Sequence, residues 1–368
     1  MVKTRMKNKK TVCYILCYKD PNYIRTLTLL KALSEIKSIN LVVVKNKERG
    51  FLRYFEVFLK LVQLRIKTRP DIFLVGFRAQ ESFWMFYPLM FGSKIIFDEF
   101  INLHDWLVDE HHKLNDGTIL VRLIDRYMKW VIKSSDIILE DTQGHADLSA
   151  KIYGTPQEKM KIIPVGADES IFYPRQTKTH KKFEILFYGS MLPLHGVNII
   201  VQAIELLAKD NKVKSMHFTL IGGNDKFETE IQLFQKQNNL SENLTYIKWV
   251  DFNKLPDLIA KADLGLGGPF GNTSQAARVI TGKTFQFLAM GKPVIIGKND
   301  VTGDFEDKRN CLTTDREDPD KLAESLSWAE NNRVKLKRIG AEGKMLYEKY
   351  YSNKVIVKEV GGIINELR

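Results

Sequence analysis

Cysteine is scarce in this 368-residue sequence, which contains only Cys13, Cys17 and Cys311. Three cysteines cannot all pair in disulfides, and their spacing matches no metal-ligand pattern. The sequence therefore lacks the disulfide framework that stabilises small secreted domains. We interpret all three as small core residues of a protein that folds in a reducing compartment.

Long apolar runs are also missing. The segment FWMFYPLMF (83–91) is too short to span a bilayer, and Lys94 follows it. The N-terminus has a basic start, but its apolar stretch covers only residues 12–18, so it predicts a first β-strand rather than a signal peptide. We expect a cytoplasmic protein that can bind peripherally to the inner face of the membrane.

Negative charge is rare at the N-terminal end. Residues 1–70 hold 17 Lys and Arg but 4 Asp and Glu, a net +13, whereas the remainder holds 39 against 40, a net −1. Such a local excess favours an anionic partner. Within residues 49–70, apolar and basic residues alternate at helical spacing. We expect residues 1–70 to contact an anionic membrane surface, and we expect no nucleic-acid partner because no recognised motif accompanies the charge.

Two series of short apolar runs alternate with helical stretches, and the polar, Lys-rich segment 173–182 separates them. The runs are typical of buried parallel strands. The pattern predicts an α/β fold of two doubly wound, Rossmann-like domains, residues 1–173 and 174–345. A C-terminal helix, 346–368, would pack back on the first domain. Two such domains facing one another across a cleft would bind their ligands at the carboxyl ends of the strands.

Gly282-Lys283-Thr284 has the form of the end of a phosphate-binding P-loop. A P-loop needs a further glycine five positions before Gly282, and that position is Ala277. A true P-loop is therefore not predicted. The start of the following helix, with Lys283, still offers an anion site, although Lys283 could equally decorate an exposed turn. A second candidate cradle is Gly189-Ser190 with His195-Gly196, and Gly222 follows the next strand.

Five segments in order resemble the retaining glycosyltransferases of family 4, which have the GT-B fold and use nucleotide-sugar donors. They are GSMLPLHGVNIIVQAIELL, FTLIGGND, WVDFNKLPDLIAKADLGLGGPFG, RVITGKTFQFLAMGKPVIIG and DFEDKRNCLTTDREDPDKLAESL. In the first domain, Gly166, Asp168 and Phe172 fit the family's pattern at the hinge. The resemblance covers nearly the whole second domain.

The resemblance implies a donor site in the second domain. The family's usual Arg and Lys in the diphosphate loop correspond to Ser190 and His195, and Lys283, with Arg278, is the candidate to replace their charge. The family's two glutamates, eight positions apart, fall on Arg278 and Gln286, which puts the standard sugar contact in doubt. The full expected donor set is Gly189, Ser190, His195, Gly196, Gly222, Trp249, Val250, Arg278, Lys283, Gln286 and Glu306.

The first domain should bind the acceptor. Asp98, at a strand's carboxyl end, is the first choice for polarising the attacking hydroxyl, and His104 is second. Glu99 and His145 are further acceptor-side candidates. The alternative is that Asp98 caps a helix and that the histidines are structural. Asp98, His104 and Lys283 together form the expected catalytic set.

The function implied is transfer of a sugar from a nucleotide-diphosphate-sugar to a membrane-associated or saccharide acceptor, such as a lipid-linked saccharide or a precursor of a surface polysaccharide or glycolipid. No metal or other cofactor is expected, since we see no Asp-x-Asp pair that would hold a metal ion and cationic side chains can stabilise the leaving diphosphate. Two alternatives remain open: a GT-B nucleotide-sugar epimerase, and a non-catalytic subunit that binds a nucleotide sugar or a lipid phosphate.

Overall fold

The protein is described from a computed structural model that covers residues 9–18, 23–110, 113–177 and 180–367. The chain divides into two compact units. The first comprises Met1–Val165 and Asn353–Arg368, and the second comprises Gly166–Ser352. The boundaries expected from the sequence were 173 and 345, so the structure divides the chain a few residues before one and after the other.

The first unit is built on a six-stranded parallel sheet in the order β2-β1-β3-β4-β5-β6. Its strands are β1 (Lys10–Leu16), β2 (Ile39–Lys45), β3 (Ile72–Val75), β4 (Lys94–Asp98), β5 (Ile137–Glu140) and β6 (Met160–Ile162). The helices between them are α1 (Ile24–Glu35), α2 (Leu52–Lys67), α3 (Phe83–Phe86), α4 (Ile119–Ser134) and α5 (Gln143–Tyr153). β3 and β5 are buried at every position, as the continuous apolar runs predict.

The second unit repeats the plan with the strand order β12-β11-β10-β7-β8-β9, and all its strand pairs are parallel. Its strands are β7 (Phe183–Tyr188), β8 (Met216–Ile221), β9 (Leu244–Ile247), β10 (Leu264–Leu266), β11 (Val294–Gly297) and β12 (Leu312–Thr314). Its helices are α6 (Val197–Lys209), α7 (Asp225–Gln237), α8 (Leu255–Lys261), α9 (Gly282–Ala289), α10 (Pro319–Asn331) and α11 (Arg333–Tyr350).

Helix α6 shows how the apolar pattern positions an element. Val197, Ile200, Ile204 and Leu207 lie on the buried side predicted from their spacing, whereas Val201 is only partly buried. Gly196 precedes the helix in a left-handed conformation, with φ of 61°. The helix therefore begins directly at the loop that follows β7.

A last helix, α12 (Asn353–Glu366), returns to the first unit. Its buried residues Ile356, Val360 and Ile364 join Leu29 and Leu33 of α1 in one core cluster. Lys10 Nζ also donates to the carbonyl oxygens of Ile364 and Leu367, at 2.6 and 2.8 Å. Among the described residues, no helix combines the length and the apolar character that crossing a bilayer requires.

Candidate functional site

The loops after β7 and β10 form the candidate ligand-binding site of the second unit. The strand order changes direction between these neighbouring strands, and doubly wound sheets bind ligands at such a switch point. A Cβ atom on Gly196 would lie 2.4 Å from the backbone nitrogen of Gly271. Only a glycine allows the two loops to approach so closely.

Gly222, after β8, brings a third loop to the same edge. Its φ is 119°, and a Cβ atom there would lie 1.8 Å from the carbonyl oxygen of Gly189. Thr281 Oγ1 donates to the carbonyl oxygen of Gly267 at 2.7 Å and so ties the start of α9 to the loop after β10. The backbone of Gly189 thus lies in a compact cradle at the carboxyl ends of β7, β8 and β10.

Lys283, in the first turn of α9, is a buried cation. Its side chain is 7% exposed, and its Nζ lies 3.6 Å from the position that a Cβ atom on Gly189 would occupy. No carboxylate among the described residues pairs with it, and burial lowers the pKa of Lys283 to about 7. A desolvated ammonium at the positive end of a helix is a favourable place for an anion.

His195 approaches Gly189 from the other loop. Its ring carbon Cε1 and Nδ1 both lie 3.0 Å from the same hypothetical Cβ position on Gly189. Nδ1 has no hydrogen-bond partner among the described residues. Burial, and then the charge of Lys283, lower the pKa of His195 to about 2. His195 is therefore a neutral imidazole with an orphaned ring nitrogen, beside an unpaired cation.

Gln286 lies one turn after Lys283 and is 4% exposed. Its Oε1 accepts a hydrogen bond of 2.6 Å from the hydroxyl of Tyr188, at the end of β7. The amide oxygen is therefore occupied within the unit, which leaves Nε2 as the group that can contact a ligand.

The remaining donor-side candidates differ in their surroundings. Arg278 donates a hydrogen bond to Ser274 Oγ. Asn299 Nδ2 stabilises the same loop by donating to the carbonyl oxygens of Ala276 and Val279, at 2.9 and 2.8 Å. Glu306 instead pairs with Arg309 at 2.6 Å on the surface. Ser190, Trp249 and Val250 follow strand ends; Ser190 is exposed, and the Trp249 side chain is 72% exposed.

Asp98 in the first unit is fully buried, which corrects its expected position in an open site. Arg25, also fully buried, donates to Asp98 Oδ1 from Nε at 3.0 Å and from Nη2 at 2.8 Å. Arg25 Nη1 donates to the carbonyl oxygen of Ile163 as well. Asp98 Oδ1 thus forms a buried ionic link with Arg25 within the unit, whereas Oδ2 has no hydrogen-bond partner among the described residues.

Glu99 and His145 are also internal. Glu99 accepts from Asn102 Nδ2 at 3.0 Å and from Ser149 Oγ at 2.7 Å. Burial and the neighbouring Glu99 raise the pKa of Glu140 well above its usual value. His145 is 2% exposed, and its Nδ1 lies 2.6 Å from Asp141 Oδ1.

His104 has the most open position of the four acceptor-side candidates. Its side chain is 13% exposed, and its Nδ1 lies 3.0 Å from Asp125 Oδ1. A carboxylate at that distance orients an imidazole and supports proton transfer at the other ring nitrogen.

Comparisons with known proteins bear on the second unit first. Residues 201–360 match a family model described as glycosyl transferase-like. This part of the chain is therefore similar to glycosyltransferases. Over 184 residues it is 25% identical to the mannosylfructose-phosphate synthase of Agrobacterium fabrum, a match that covers 45% of this chain and 38% of that relative.

Solved structures extend the likeness in fold to both units. HepE of Anabaena, solved in complex with UDP, matches with a TM-score of 0.71 and 14% identity over 97% of this chain and 100% of that chain. The sucrose-phosphate synthase of Thermosynechococcus elongatus matches with a TM-score of 0.72 and 14% identity over 98% and 99%. These matches confirm the predicted α/β fold of two Rossmann-like domains, which is the GT-B architecture.

Sequence reasoning missed three features of the structure. Tyr188 and Thr281 hold the cradle, and no motif marked either residue. In the first unit, aromatic rings collect where β1 and β3 end, at that sheet's own switch point. Tyr18 and Phe77 lie 4.9 Å apart, and Tyr23 stacks on Phe77 at 5.0 Å. These residues cannot be recognised as neighbours from the sequence until the strand order is known.

Proposed function

We propose that the protein is a retaining glycosyltransferase of family 4 that transfers a sugar from a nucleotide-diphosphate-sugar to a membrane-associated or saccharide acceptor. The reaction would serve the synthesis of a surface polysaccharide or glycolipid, on the cytoplasmic side of the membrane. One observation carries the donor half of this proposal: Lys283 is a buried cation, without a carboxylate partner among the described residues, at the N-terminus of α9.

The diphosphate of the donor occupies the cradle around Gly189. Lys283 Nζ and the N-terminal end of α9 face its negative charge, and His195 supplies a neutral ring nitrogen. Departure of the nucleoside diphosphate increases the charge on the bridging oxygen, so groups fixed in advance lower the barrier. This proposal needs no metal ion and no other cofactor.

The acceptor half rests on His104 and Asp125. In place of Asp98, we assign to His104 the role of polarising the acceptor hydroxyl, because it alone among the four candidates is partly open and holds a carboxylate at 3.0 Å. The partly exposed ring of Tyr18, which packs on the buried Phe77 at the switch point of β1 and β3, offers an apolar surface to a sugar acceptor.

The first test is thermal unfolding of the protein with UDP, GDP, ADP, CMP and dTDP, and UDP is tried first because HepE was solved with it. A ligand at 100 times its Kd stabilises by about 2.7 kcal/mol and raises the melting temperature measurably. We expect one nucleoside diphosphate to shift the wild type and to lose at least about tenfold in affinity in Lys283→Met.

Lys292→Met is the matched control, because Lys292 Nζ is engaged by the carbonyl oxygens of Ala260 and Ala262 in the same unit. It should lower the melting temperature but keep the nucleotide shift. If no nucleotide stabilises the wild type, the donor-site assignment is wrong.

A non-catalytic nucleotide-sugar-binding subunit is the second candidate, favoured by Arg278 and Ser190 where the family has Glu and Arg. Such a subunit would bind the nucleotide through Lys283 but consume no nucleotide sugar with any acceptor. An epimerase would instead release a free product without an acceptor. Product analysis with the stabilising nucleotide's sugars separates the three functions.

A further inference from the structure

Exposed apolar side chains are concentrated on one side of the first unit. Among its described residues, all large apolar side chains that are exposed, apart from Val43 and Ile162, lie on α2, α3, α4 or the segments that flank them. They are Phe51, Leu52, Phe55, Leu59, Ile66, Trp84, Phe91, Ile119, Leu120, Leu123 and Trp130. We refer to these residues as the α2–α4 face. Single exposed apolar residues are ordinary, but a concentration of them marks an interaction surface.

The three helices form one layer. Their inward side chains, among them Val57 of α2, Phe83 of α3 and Met128 of α4, belong to one core cluster. The helices also contact one another, since the rings of Phe83 and Trp130 lie 5.2 Å apart and Arg65 Nη2 donates to the carbonyl oxygen of Phe91 at 2.6 Å. Their outward side chains therefore lie on a common side of the unit.

Helix α2 has two apolar sides where packing needs only one. Val57 and Leu61 are buried against the sheet, at 0% and 1% exposure. Leu52, Phe55 and Leu59 follow each other at intervals of three and four residues, and they are 64%, 50% and 59% exposed. A helix on a sheet normally turns polar residues outward. Apart from a contact between the rings of Phe51 and Phe55 at 5.5 Å, the second apolar stripe remains largely exposed.

Positive charge accompanies these apolar side chains. Residues 49–69 contain six Lys and Arg and one acidic residue, Glu56, which is paired with Lys60 at 2.5 Å. Helix α4 contains four, Arg122, Arg126, Lys129 and Lys133, all exposed, and its only acidic residue is Asp125, which faces His104. Apolar side chains flanked by lysine and arginine are the pattern of helices that lie in the interface of an anionic bilayer.

We propose that the α2–α4 face docks on an anionic lipid bilayer, with Phe55, Leu59 and Leu123 in the interfacial layer and the basic side chains at the lipid phosphates. The excess of positive charge favours lipid over a second copy of the chain, because a symmetric contact would bring like charges together. This inference rests on the proposed function and extends it, because a transferase bound to the bilayer would meet a lipid-linked acceptor there.

The test is cosedimentation of the full chain with vesicles of phosphatidylcholine, alone or with about 30% phosphatidylglycerol, a mixture chosen to give the surface a negative potential. We expect the wild type to bind the anionic vesicles and to release at high salt. Phe55→Ser/Leu59→Ser should bind at least about tenfold more weakly, since two apolar side chains no longer enter the interface. Arg122→Gln/Lys129→Gln should weaken binding only to the anionic vesicles.

Leu233→Ser/Val334→Ser is the matched control, because these side chains of the second unit are 54% and 86% exposed. It should bind vesicles as the wild type does. Every variant changes exposed positions, so each should keep the wild-type melting temperature and its shift by nucleotide. That shift also separates the two proposals: a missing nucleotide effect removes the donor site but leaves the vesicle result standing.

The docking proposal is overturned if the wild type does not bind anionic vesicles, or if Phe55→Ser/Leu59→Ser binds them as tightly as the control. It is also overturned if light scattering without vesicles finds a dimer that this double variant converts to a monomer. That outcome would assign the α2–α4 face to a second copy of the chain.

Discussion

The sequence and the structure give different information about Lys283. The sequence predicts that Lys283 lies at the start of a helix after Gly282, where it could either bind an anion or decorate an exposed turn. Its burial and its approach to Gly189 are not evident there, because 94 positions separate the two residues and only the meeting of β7 and β10 brings them together. The sequence thus marks Lys283 as a candidate, and the fold adds that it is buried and lies beside Gly189.

The burial of Lys283 should cost stability that a ligand restores. In the unfolded chain Lys283 holds its proton up to about pH 10.5, but in the folded chain only up to about pH 7. Between these values the unfolded state binds more protons, so the free energy of unfolding rises with pH. Below about pH 7 the penalty is fully present. Lys283→Met should therefore be more stable than the wild type at pH 6, by roughly 1–3 kcal/mol, although it binds the nucleotide more weakly.

Urea unfolding at pH 6 and pH 9 measures this difference, which should shrink at the higher pH. Lys292→Met is again the contrasting variant, since its loss leaves two carbonyl oxygens without their donor. A Lys283→Met protein that is less stable than the wild type at both pH values would mean that the lysine contributes packing rather than a desolvated charge.

At the scale of elements, the pair Arg25 and Asp98 joins α1 to β4, and Arg25 extends the link to Ile163 after β6. Asp98→Asn should destabilise the protein by about 3–5 kcal/mol, because it leaves a buried guanidinium without its counter-charge. Asp315→Asn breaks an exposed pair with Lys298 and should cost less than about 1 kcal/mol. Chemical denaturation compares the two, and equal losses would contradict a special role for the buried pair.

The elements themselves were largely predictable, whereas their order was not. Continuous apolar runs such as those of β3 and β5 mark buried parallel strands, and the spacing in α6 predicted its buried side. Nothing in a run of apolar letters says which strand lies beside which. For that reason the sequence directed attention to Asp98 and His145, which are internal, and not to Tyr18 and Phe77 at the switch point.

At the scale of the whole molecule, each unit has its own core, yet the first unit is closed by residues from the other end of the chain. Helix α12 contributes Ile356, which is 1% exposed, to the cluster shared with Leu29 and Leu33. Ile356→Ala should remove about 2–5 kcal/mol of stability, since it leaves a cavity in that cluster. Lys358→Ala, at an exposed position of the same helix, should change stability by no more than about 0.5 kcal/mol.

The proposed donor site lies wholly in the second unit, whereas Ile356 lies in the first. Ile356→Ala and nucleotide binding should therefore act on different unfolding transitions. Calorimetry with and without the stabilising nucleotide tests this: Ile356→Ala should lower one transition, and the nucleotide should raise the other, in both the variant and the wild type. If the nucleotide instead raises the transition that Ile356→Ala lowers, the units unfold together. The two units would then unfold cooperatively although each has its own core. In that case Ile356→Ala would affect donor binding only by lowering the stability of the folded protein.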